Sequence, residues 1–257
     1  MNYDGARVLF DQVLADFPTS ARADNSAYLA GRCRYELNDF AGAITALTSM
    51  RSAFPTSPFI DQAAYFSGRS RFQLLAFVEA AADFDASLVA DPNGIFADNA
   101  SYFAGRARYE ANLLAEARVK LQSFEATFPN SILIDNARYY LGRSFYNDSL
   151  LAECVAPFGR VALTPGSIYA DNAIYFSGRA HYRIADFAAA IVDFDNLQAT
   201  QPGSQYVDNS LGWEARARFD AGDCTSARAT YNEMLTAFPT SAEVSRTDTY
   251  LTGKGCL

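Results

Sequence analysis

The stretch ADNSAYLAGRCRYE at residues 23–36 recurs, with small changes, every 36 or 37 residues of the 257-residue chain. Its landmark is an aspartate followed by an amide residue, with Gly-Arg or Ala-Arg starting seven residues after the aspartate. The aspartates are Asp24, Asp61, Asp98, Asp135, Asp171 and Asp208. Prolines keep the same spacing, at Pro18, Pro55, Pro92, Pro129, Pro165, Pro202 and Pro239. Self-similarity at a fixed period indicates a repeat architecture that runs along the whole chain.

Each repeat contains two stripes of apolar residues at helical spacing. In the first full repeat, one stripe is Ala27, Gly31 and Tyr35, and the other is Phe40, Ala43, Leu47, Met50 and Phe54. Asp39 between the stripes is placed to cap the second helix, as Asp186 and Asp223 are in later repeats, and Pro55 ends that helix. The pattern predicts a helical hairpin that buries its apolar face only by stacking on its neighbours.

The predicted fold class is therefore all-α, with six full hairpins of 37 residues and one extra helix at each end. We expect a single domain over residues 1–257. One half repeat covers residues 1–18 and another covers 240–257, and the full repeats cover about 19–55, 56–92, 93–129, 130–165, 166–202 and 203–239.

The repeat resembles the tetratricopeptide repeat. Gly31, Ala43, Leu47 and Pro55 match its small, Ala, aromatic-or-Leu and Pro signature. The unit exceeds the usual length of about 34 residues, and the extra residues lie in a Pro-x-Ser-x-x-x-Asp junction. That junction, followed by Ala-x-Tyr-x-x-Gly, is similar to tetratricopeptide modules of bacterial envelope proteins such as the Tol–Pal system coordinator and the outer-membrane assembly lipoprotein. The resemblance covers essentially the whole chain and implies an α-α superhelix, a tetratricopeptide-like solenoid.

In solenoids of this type the first helix of each hairpin lines a concave groove, and the resemblance places five positions of that helix in it. The amide row is Asn25, Gln62, Asn99, Asn136, Asn172 and Asn209. The tyrosine row is Tyr28, Tyr65, Tyr102, Tyr139 and Tyr175, with Gly212 departing beside Trp213. The arginine row is Arg32, Arg69, Arg106, Arg143, Arg179 and Arg216. The aromatic row is Tyr35, Phe72, Tyr109, Tyr146, Tyr182 and Phe219, and the variable fifth row is Glu36, Gln73, Glu110, Asn147, Arg183 and Asp220.

Two interpretations of the arginine row are open. Asp24 and Arg32 are two turns apart in one helix, about 12 Å by helical rise, so a contact between such residues must join adjacent helices. One interpretation is an Asp–Arg ladder between repeats that sets their stacking. The other is a groove for an extended ligand that carries carboxylates or sugar rings. Both hold if only some of the arginines are paired.

Three functional hypotheses follow. The first is a non-catalytic scaffold for protein–protein or protein–peptide interaction in a bacterial cell envelope. The second is a binder of a periodic glycan such as peptidoglycan, because six similar rows suit a periodic ligand, although duplication also explains them. The third is head-to-tail self-assembly. The chain opens on a second helix without its first and closes, from about Ser241 to Leu257, on a first helix without its second. A fragment of a longer protein would have the same ends.

Composition and motifs exclude several classes of function for this protein. The net charge of −8 argues against a nucleic-acid partner. No run approaches the roughly 18 apolar residues of a membrane span, and the N-terminus has no signal peptide, so we expect a cytoplasmic protein if Met1 is the native start and a periplasmic or envelope-associated one otherwise. The single histidine, His181, occupies a position that we interpret as solvated, equivalent to Arg34, Arg71, Arg108 and Arg218. Without a catalytic set or metal-ligand spacing, we expect no enzyme activity, cofactor or metal.

The fourth repeat and the cysteines depart from the pattern. Pro157 falls inside a second helix, eight residues after the expected cap at Ser149, so we expect a kink there. Cys33 and Cys154 occupy positions of small packing residues. Cys224 begins the last second helix and Cys256 ends the final helix, and antiparallel packing would bring these ends together. A disulfide between them would imply an oxidising compartment.

Overall fold

The structure is a computed structural model that describes residues 2–257. These residues form fourteen α-helices: α1 (Tyr3–Asp16), α2 (Ala23–Glu36), α3 (Phe40–Ala53), α4 (Ile60–Gln73), α5 (Phe77–Ala90), α6 (Ala97–Glu110), α7 (Leu114–Thr127), α8 (Ile134–Asn147), α9 (Leu151–Ala162), α10 (Ala170–Arg183), α11 (Phe187–Thr200), α12 (Val207–Asp220), α13 (Cys224–Ala237) and α14 (Ala242–Gly253). Helices α2 to α13 make six hairpins whose first helices are even-numbered, and α1 and α14 flank them. The prediction of an all-α fold with six hairpins is confirmed.

The helices pack as two compact units, and unit 1 ends at Ala137. In unit 1 each helix from α1 to α6 packs on the next, and α2 also touches α4. The core between these helices contains Leu47, Met50 and Phe84, all fully or almost fully buried. Sequential packing of this kind is what hairpins with one apolar face require. The assignment of all 257 residues to a single domain stays a prediction.

Unit 2 comprises Arg138–Leu257. Helices α9 to α13 again pack each on the next, and α10 touches α12. Helix α14 packs on α12 as well as on α13, so that Leu251 joins Phe194 and Met234 in one buried cluster. The last helix therefore closes the apolar side of the sixth hairpin.

In five of the six hairpins the first helix approaches its second helix closely at a glycine, and α12 has Ala215 at this position. A Cβ at Gly178 would lie 2.7 Å from Cε1 of Phe194, and a Cβ at Gly31 would lie 2.6 Å from Cδ2 of Leu47. Equivalent approaches occur at Gly68, Gly105 and Gly142. In these five hairpins the glycine is thus a steric requirement, because a side chain there would displace a large apolar residue of the partner helix.

The turn inside each hairpin places one residue in the left-handed region. This residue is Asn38, Leu75, Asn112, Ser149, Ala185 or Gly222. The following aspartate caps the second helix in three hairpins, where its side chain accepts a backbone N–H bond: Asp39 from Gly42 (2.9 Å), Asp186 from Ala189 (3.1 Å) and Asp223 from Ser226 (2.9 Å). These three caps are those that the sequence predicts.

The fourth hairpin differs from the others in its second helix. The N-cap of α9 is Leu150, so the cap expected at Ser149 is wrong, because Ser149 adopts the left-handed turn conformation with φ 61°. Helix α9 continues through Pro157 but has 12 residues, whereas the second helices of the other hairpins have 14. The kink expected at Pro157 stays a prediction.

Cys224 and Cys256 are joined by a disulfide, with 5.7 Å between their Cα atoms. The bond fastens the end of α14 to the start of α13. Cys33 and Cys154 are free and buried, and burial raises the pKa of the Cys154 thiol to about 12. Among residues 2–257, no helix is both long and apolar enough to cross a bilayer.

Mass spectrometry of the unreduced protein is expected to find Cys224 joined to Cys256, with Cys33 and Cys154 as free thiols. The bond closes a loop with a sequence separation of 32, so reducing it is expected to lower the free energy of unfolding by about 3 kcal/mol. Cys33→Ala is the control, since it leaves the bond intact. Four free thiols after purification under oxidising conditions would contradict the pairing.

Alanine at two helical glycines is expected to change stability in opposite directions. Gly178→Ala should lower the free energy of unfolding by about 2 kcal/mol, because its methyl group overlaps Phe194. Gly159→Ala should raise it by up to about 1 kcal/mol, because no atom lies within 4 Å of the new Cβ and alanine favours a helix. Urea unfolding of both variants measures the difference, and equal effects would refute the steric role of Gly178.

Candidate functional site

Cation–π contacts join the arginine row to the next first helix. Four of the guanidinium groups lie over the aromatic ring that follows the tyrosine position of the next repeat, with these distances to the ring centroid: Arg32 to Phe66 5.2 Å, Arg69 to Phe103 4.4 Å, Arg143 to Phe176 4.2 Å and Arg179 to Trp213 5.0 Å. The aromatic row contributes on the side of the preceding repeat, where Arg69 lies 5.9 Å from Tyr35. The row of guanidinium groups therefore links successive first helices through ring stacking.

The landmark aspartates bind serine rather than arginine. Their carboxylates accept the hydroxyl of the serine in the following Pro-x-Ser junction: Asp24 from Ser57 (2.6 Å), Asp98 from Ser131, Asp171 from Ser204 and Asp208 from Ser241 (2.7 Å each). At these four repeats the Asp–Arg ladder interpretation is wrong, because the serine of the next repeat takes the carboxylate.

The second repeat lacks this serine and has Gly94 in its place. A Cβ at Gly94 would lie 2.6 Å from Oδ2 of Asp61, so the carboxylate fills the space that a side chain would need. Asp61 is buried, and burial raises the pKa of its carboxyl group. This joint is therefore held differently from its neighbours.

A second set of cations does form a charge ladder. These side chains lie two residues after the arginine row and pair with carboxylates of second helices: Arg34 with Asp11 (2.9 Å), Arg71 with Asp83, Arg108 with Asp85, His181 with Asp193 (2.8 Å) and Arg218 with Asp195 (3.4 Å). The interpretation of the His181 position as solvated is wrong, since all five side chains are at most 26% exposed.

The tyrosine row is buried, which corrects the groove as drawn from the sequence. Tyr28, Tyr65, Tyr102, Tyr139 and Tyr175 are at most 6% exposed. Four of them stack on the ring before the next first helix: Tyr28 on Phe59 (5.3 Å), Tyr65 on Phe96 (4.5 Å), Tyr139 on Tyr169 (4.3 Å) and Tyr175 on Tyr206 (4.5 Å). These rings hold repeats together and present no face to a ligand.

The amide row remains half-exposed, and so does the aromatic row except at Tyr146, which is buried. Several amides are oriented by the aspartate beside them, as Asn99 Nδ2 donates to Asp98 (3.0 Å) and Asn209 Nδ2 donates to Asp208 (3.0 Å). Asn172 Oδ1 accepts the hydroxyl of Tyr206 at 2.8 Å. Within each unit, we call the surface formed by the amide, arginine, aromatic and fifth rows the first-helix face.

Neutralisation of the arginine row varies from repeat to repeat. Arg32 lies 3.8 Å from Glu36 and Arg106 lies 3.5 Å from Glu110, in each case one turn along the helix. Arg69 donates to the hydroxyl of Tyr65 at 2.8 Å. Among residues 2–257, no carboxylate lies within ion-pair distance of Arg69 or of Arg179. Arg179 is followed one turn later by Arg183, the only cation in the fifth row.

The sixth repeat is closed by the last helix. Arg216 is buried and pairs with Glu243 of α14, which is also buried. A Cβ at Gly212 would lie 2.4 Å from Cγ of Glu243, so the glycine that replaces tyrosine makes room for this carboxylate. The guanidinium group of Arg216 is therefore paired inside the protein. Contrary to the prediction, it does not line a ligand groove.

The fifth-row aspartate of the same repeat is also engaged. Asp220 accepts hydroxyl bonds from Tyr182 (2.6 Å) and Tyr250 (2.7 Å), and Lys254 lies 3.8 Å away. Burial, reinforced by the hydrogen bond to Asp220, raises the pKa of Tyr182 far above its ordinary value. The Tyr182 hydroxyl therefore stays protonated and continues to donate a hydrogen bond to the Asp220 carboxylate.

In the part of the chain that the structure describes, no group of three or more His, Cys, Asp and Glu side chains is arranged to hold a metal ion. A cavity of about 420 Å³ in unit 1 is lined by junction residues such as Asn93, Pro129 and Ser131 rather than by the arginine row. The features of the first-helix face are thus stacked cations, amides and rings on an open surface.

Comparison with known proteins finds the same helical-hairpin fold in other proteins. The family model described as tetratricopeptide repeat matches residues 2–58 and 28–95. The C-terminal part of a TPR repeat-containing protein from Cytophaga hutchinsonii has a TM-score of 0.71 at 17% identity, over 96% of this chain and 94% of that one. The chain therefore has the α-α helical-hairpin fold of tetratricopeptide-repeat proteins. Solenoids of stacked hairpins present extended binding surfaces.

Two other solved structures are similar at comparable identity. YrrB, a TPR protein with an unusual peptide-binding site, has a TM-score of 0.63 at 16% identity, over 78% of this chain and 96% of that one. PilW, a widely conserved type IV pilus biogenesis factor, has a TM-score of 0.58 at 15% identity, over 88% of this chain and 99% of that one. The comparison with curated proteins found no match. Identities at this level show the fold alone.

The single histidine makes one ion pair of the ladder measurable by titration. The hydrogen bond that the His181 ring donates to the Asp193 carboxylate raises the pKa of His181 above its ordinary value. A raised folded-state pKa means that the pair contributes its full stability below about pH 6.5, the unfolded value, and loses it as pH rises through the folded pKa. The free energy of unfolding is therefore expected to fall over that interval.

Nuclear magnetic resonance titration of the His181 ring, with urea unfolding at several pH values, checks this expectation. Asp193→Asn is the matched variant, because it removes the charge while keeping the side-chain size. It should return the pKa of His181 toward its ordinary value and flatten the pH dependence. A wild-type pKa at or below about 6.5 would contradict the pairing.

Proposed function

We propose that this chain is a non-catalytic scaffold that binds a protein or peptide partner across its first-helix face. The observation that carries the proposal is the state of Arg69 and Arg179, which stack on rings and, among residues 2–257, have no carboxylate within ion-pair distance. The chain has a net charge of −8 and therefore has an excess of carboxylates elsewhere. Cations left unneutralised on one face are suited to carboxylates supplied by a partner.

Ring stacking prepares these side chains for binding. Arg69 is held over Phe103 and by the Tyr65 hydroxyl, and Arg179 is held over Trp213. An arginine fixed in this way has already lost much of its rotamer freedom, so less entropy is lost when a carboxylate binds. Its N–H edge can form a bidentate pair with that carboxylate.

The fold and its chemistry support binding rather than catalysis. Helical solenoids offer extended surfaces, and YrrB, a TPR protein with an unusual peptide-binding site, has the same fold. The one histidine of the chain, His181, is not among the residues of the first-helix face, so the face lacks the commonest acid–base group. We propose that the chain acts in this role as one solenoid domain over residues 1–257.

We further propose a place in the bacterial cell envelope. The support is the bond between Cys224 and Cys256, since such bonds persist mainly in oxidising compartments. PilW, a type IV pilus biogenesis factor, shares the fold. Binding of a periodic glycan and head-to-tail self-assembly stay alternative hypotheses, and the experiment below includes glycan fragments.

Two arginines of α4 should separate a binding role from a structural one. Arg71→Ala is expected to lower the free energy of unfolding by about 2 kcal/mol, because the buried Asp83 loses one charged partner and keeps Arg51 and the Ser67 hydroxyl. Arg69→Ala should cost about 1 kcal/mol or less, the size of a partly exposed cation–π contact. Urea unfolding measures both, and an equal or larger loss for Arg69→Ala would indicate that the arginine row is structural.

Alanine substitutions in the arginine row also test ligand binding directly. Arg69→Ala, Arg106→Ala, Arg143→Ala and Arg179→Ala are expected to weaken a bound acidic peptide more than they reduce stability, with Arg22→Ala as an exposed control. Isothermal calorimetry with acidic peptides and with peptidoglycan fragments provides the measurement. Peptide affinity that is unchanged in all four variants would overturn the proposal, and saturable binding of glycan alone would favour the glycan hypothesis.

A further inference from the structure

Building on the proposed scaffold function, we propose that unit 2 binds an extended peptide segment with acidic residues at alternate positions, of the type Glu-x-Glu. The site consists of Arg179 and Arg183 on α10, with Tyr146 and Trp213 as the rings that orient them. It deepens the proposed function by naming the chemistry of the partner and the place where it binds.

The spacing of the two arginines selects this pattern. Arg179 and Arg183 are four residues apart on one helix, which separates them by about 6 Å along its axis. In an extended peptide, side chains on one face are two residues apart, or about 6.7 Å. Two carboxylates at alternate positions therefore match the two guanidinium groups when the peptide runs along α10.

Aromatic rings hold both guanidinium groups. Arg179 lies 5.0 Å from the centroid of Trp213 and 6.0 Å from that of Tyr146, and Arg183 lies 5.4 Å from the centroid of Tyr146. A stacked guanidinium offers its N–H edge, which is the edge that binds a carboxylate in bidentate fashion. Arg183 is exposed and Arg179 and Trp213 are half-buried, so a peptide can reach this edge from solvent.

No acidic side chain of the protein competes for these groups. Among residues 2–257, neither Arg179 nor Arg183 has a carboxylate within ion-pair distance, and the hydrogen bond of Arg183 goes to the Ser149 hydroxyl at 3.4 Å. The acidic residue at the fifth position of the next repeat, Asp220, already accepts bonds from two tyrosine hydroxyls. Two adjacent like charges repel each other, and a doubly acidic segment would relieve that repulsion.

The ring contacts favour a peptide over a sugar strand. A sugar binds aromatic residues by stacking on a free ring face. Trp213 already contacts two guanidinium groups, Arg179 at 5.0 Å and Arg216 at 4.8 Å from the ring centroid, and Tyr146 is buried. The donors that remain available are guanidinium N–H groups, whose natural partners are carboxylates.

Trp213 is the only tryptophan of the chain and lies in the site, so its fluorescence reports binding there directly. The probes are two synthetic peptides of equal composition and charge, one with glutamates at alternate positions and one with glutamates adjacent. The alternate peptide is expected to bind about tenfold more tightly, because a bidentate charge-assisted pair contributes on the order of a tenfold change in affinity. Raising the salt concentration should weaken both.

Variants then assign the contacts. Arg179→Ala and Arg183→Ala should each weaken the alternate peptide about tenfold and abolish the preference over the adjacent peptide. Arg183→Lys keeps the charge and should restore only part of the affinity, because lysine cannot form the bidentate pair. Arg22→Ala, which removes an exposed charge from unit 1, should have no effect. Gln73→Arg places a second cation one turn after Arg69 and should raise the calorimetric stoichiometry from one peptide to two.

The outcomes separate the inference from the function on which it rests. Equal affinity for the two peptides, or binding unchanged by Arg183→Ala, overturns the inference but leaves a peptide-binding scaffold in place. Failure of both peptides to bind overturns the inference, and if other peptides also fail at the arginine row the scaffold proposal fails with it. A Trp213 response to neutral glycan fragments alone would replace the peptide with a sugar ligand.

Discussion

The close approach of two helices at a glycine is the contact on which the rest of the hairpin depends. With no side chain at Gly31 or Gly178, the first helix lies directly against Leu47 or Phe194 of its partner. That approach fixes which residues of the first helix face inward to the second helix and which face the neighbouring repeat. Tyrosine, arginine and amide residues then fall at set positions around the same helix.

Three kinds of contact join neighbouring hairpins. Tyrosine rings such as Tyr139 stack on the ring that precedes the next first helix, and landmark aspartates such as Asp98 bind the next junction serine. Arginines such as Arg179 lie over the ring that follows. Where the landmark aspartate is bound to serine, it does not pair with an arginine, and among the described residues Arg69 and Arg179 are left without an acidic partner. The binding chemistry of the face is therefore a consequence of how the repeats are joined.

Much of the fold could be predicted from the sequence, because period, glycine, proline and cap signals are local. The site was harder, since position on a helix does not determine burial. The tyrosine row was expected to line a groove, but its rings lie in the seams between repeats, where large apolar surface is covered. A charge ladder through Arg32 and its equivalents was one of two open interpretations, and the ladder is formed instead by Arg34 and its equivalents, two residues away. Gly212 was noticed as an exception, and its reason lies in Glu243, 31 residues later, which no local pattern could reveal.

The bond between a landmark aspartate and the serine 33 residues later makes each repeat chemically complementary to itself. A duplicated copy inserted into the array would bring a serine for the aspartate before it and an aspartate for the serine after it. Unequal recombination can therefore lengthen or shorten such a chain by whole copies without leaving a joint unmatched. The exception at Asp61 and Gly94 marks one boundary where this interchangeability has been lost, and a copy placed there would have to evolve its fit anew.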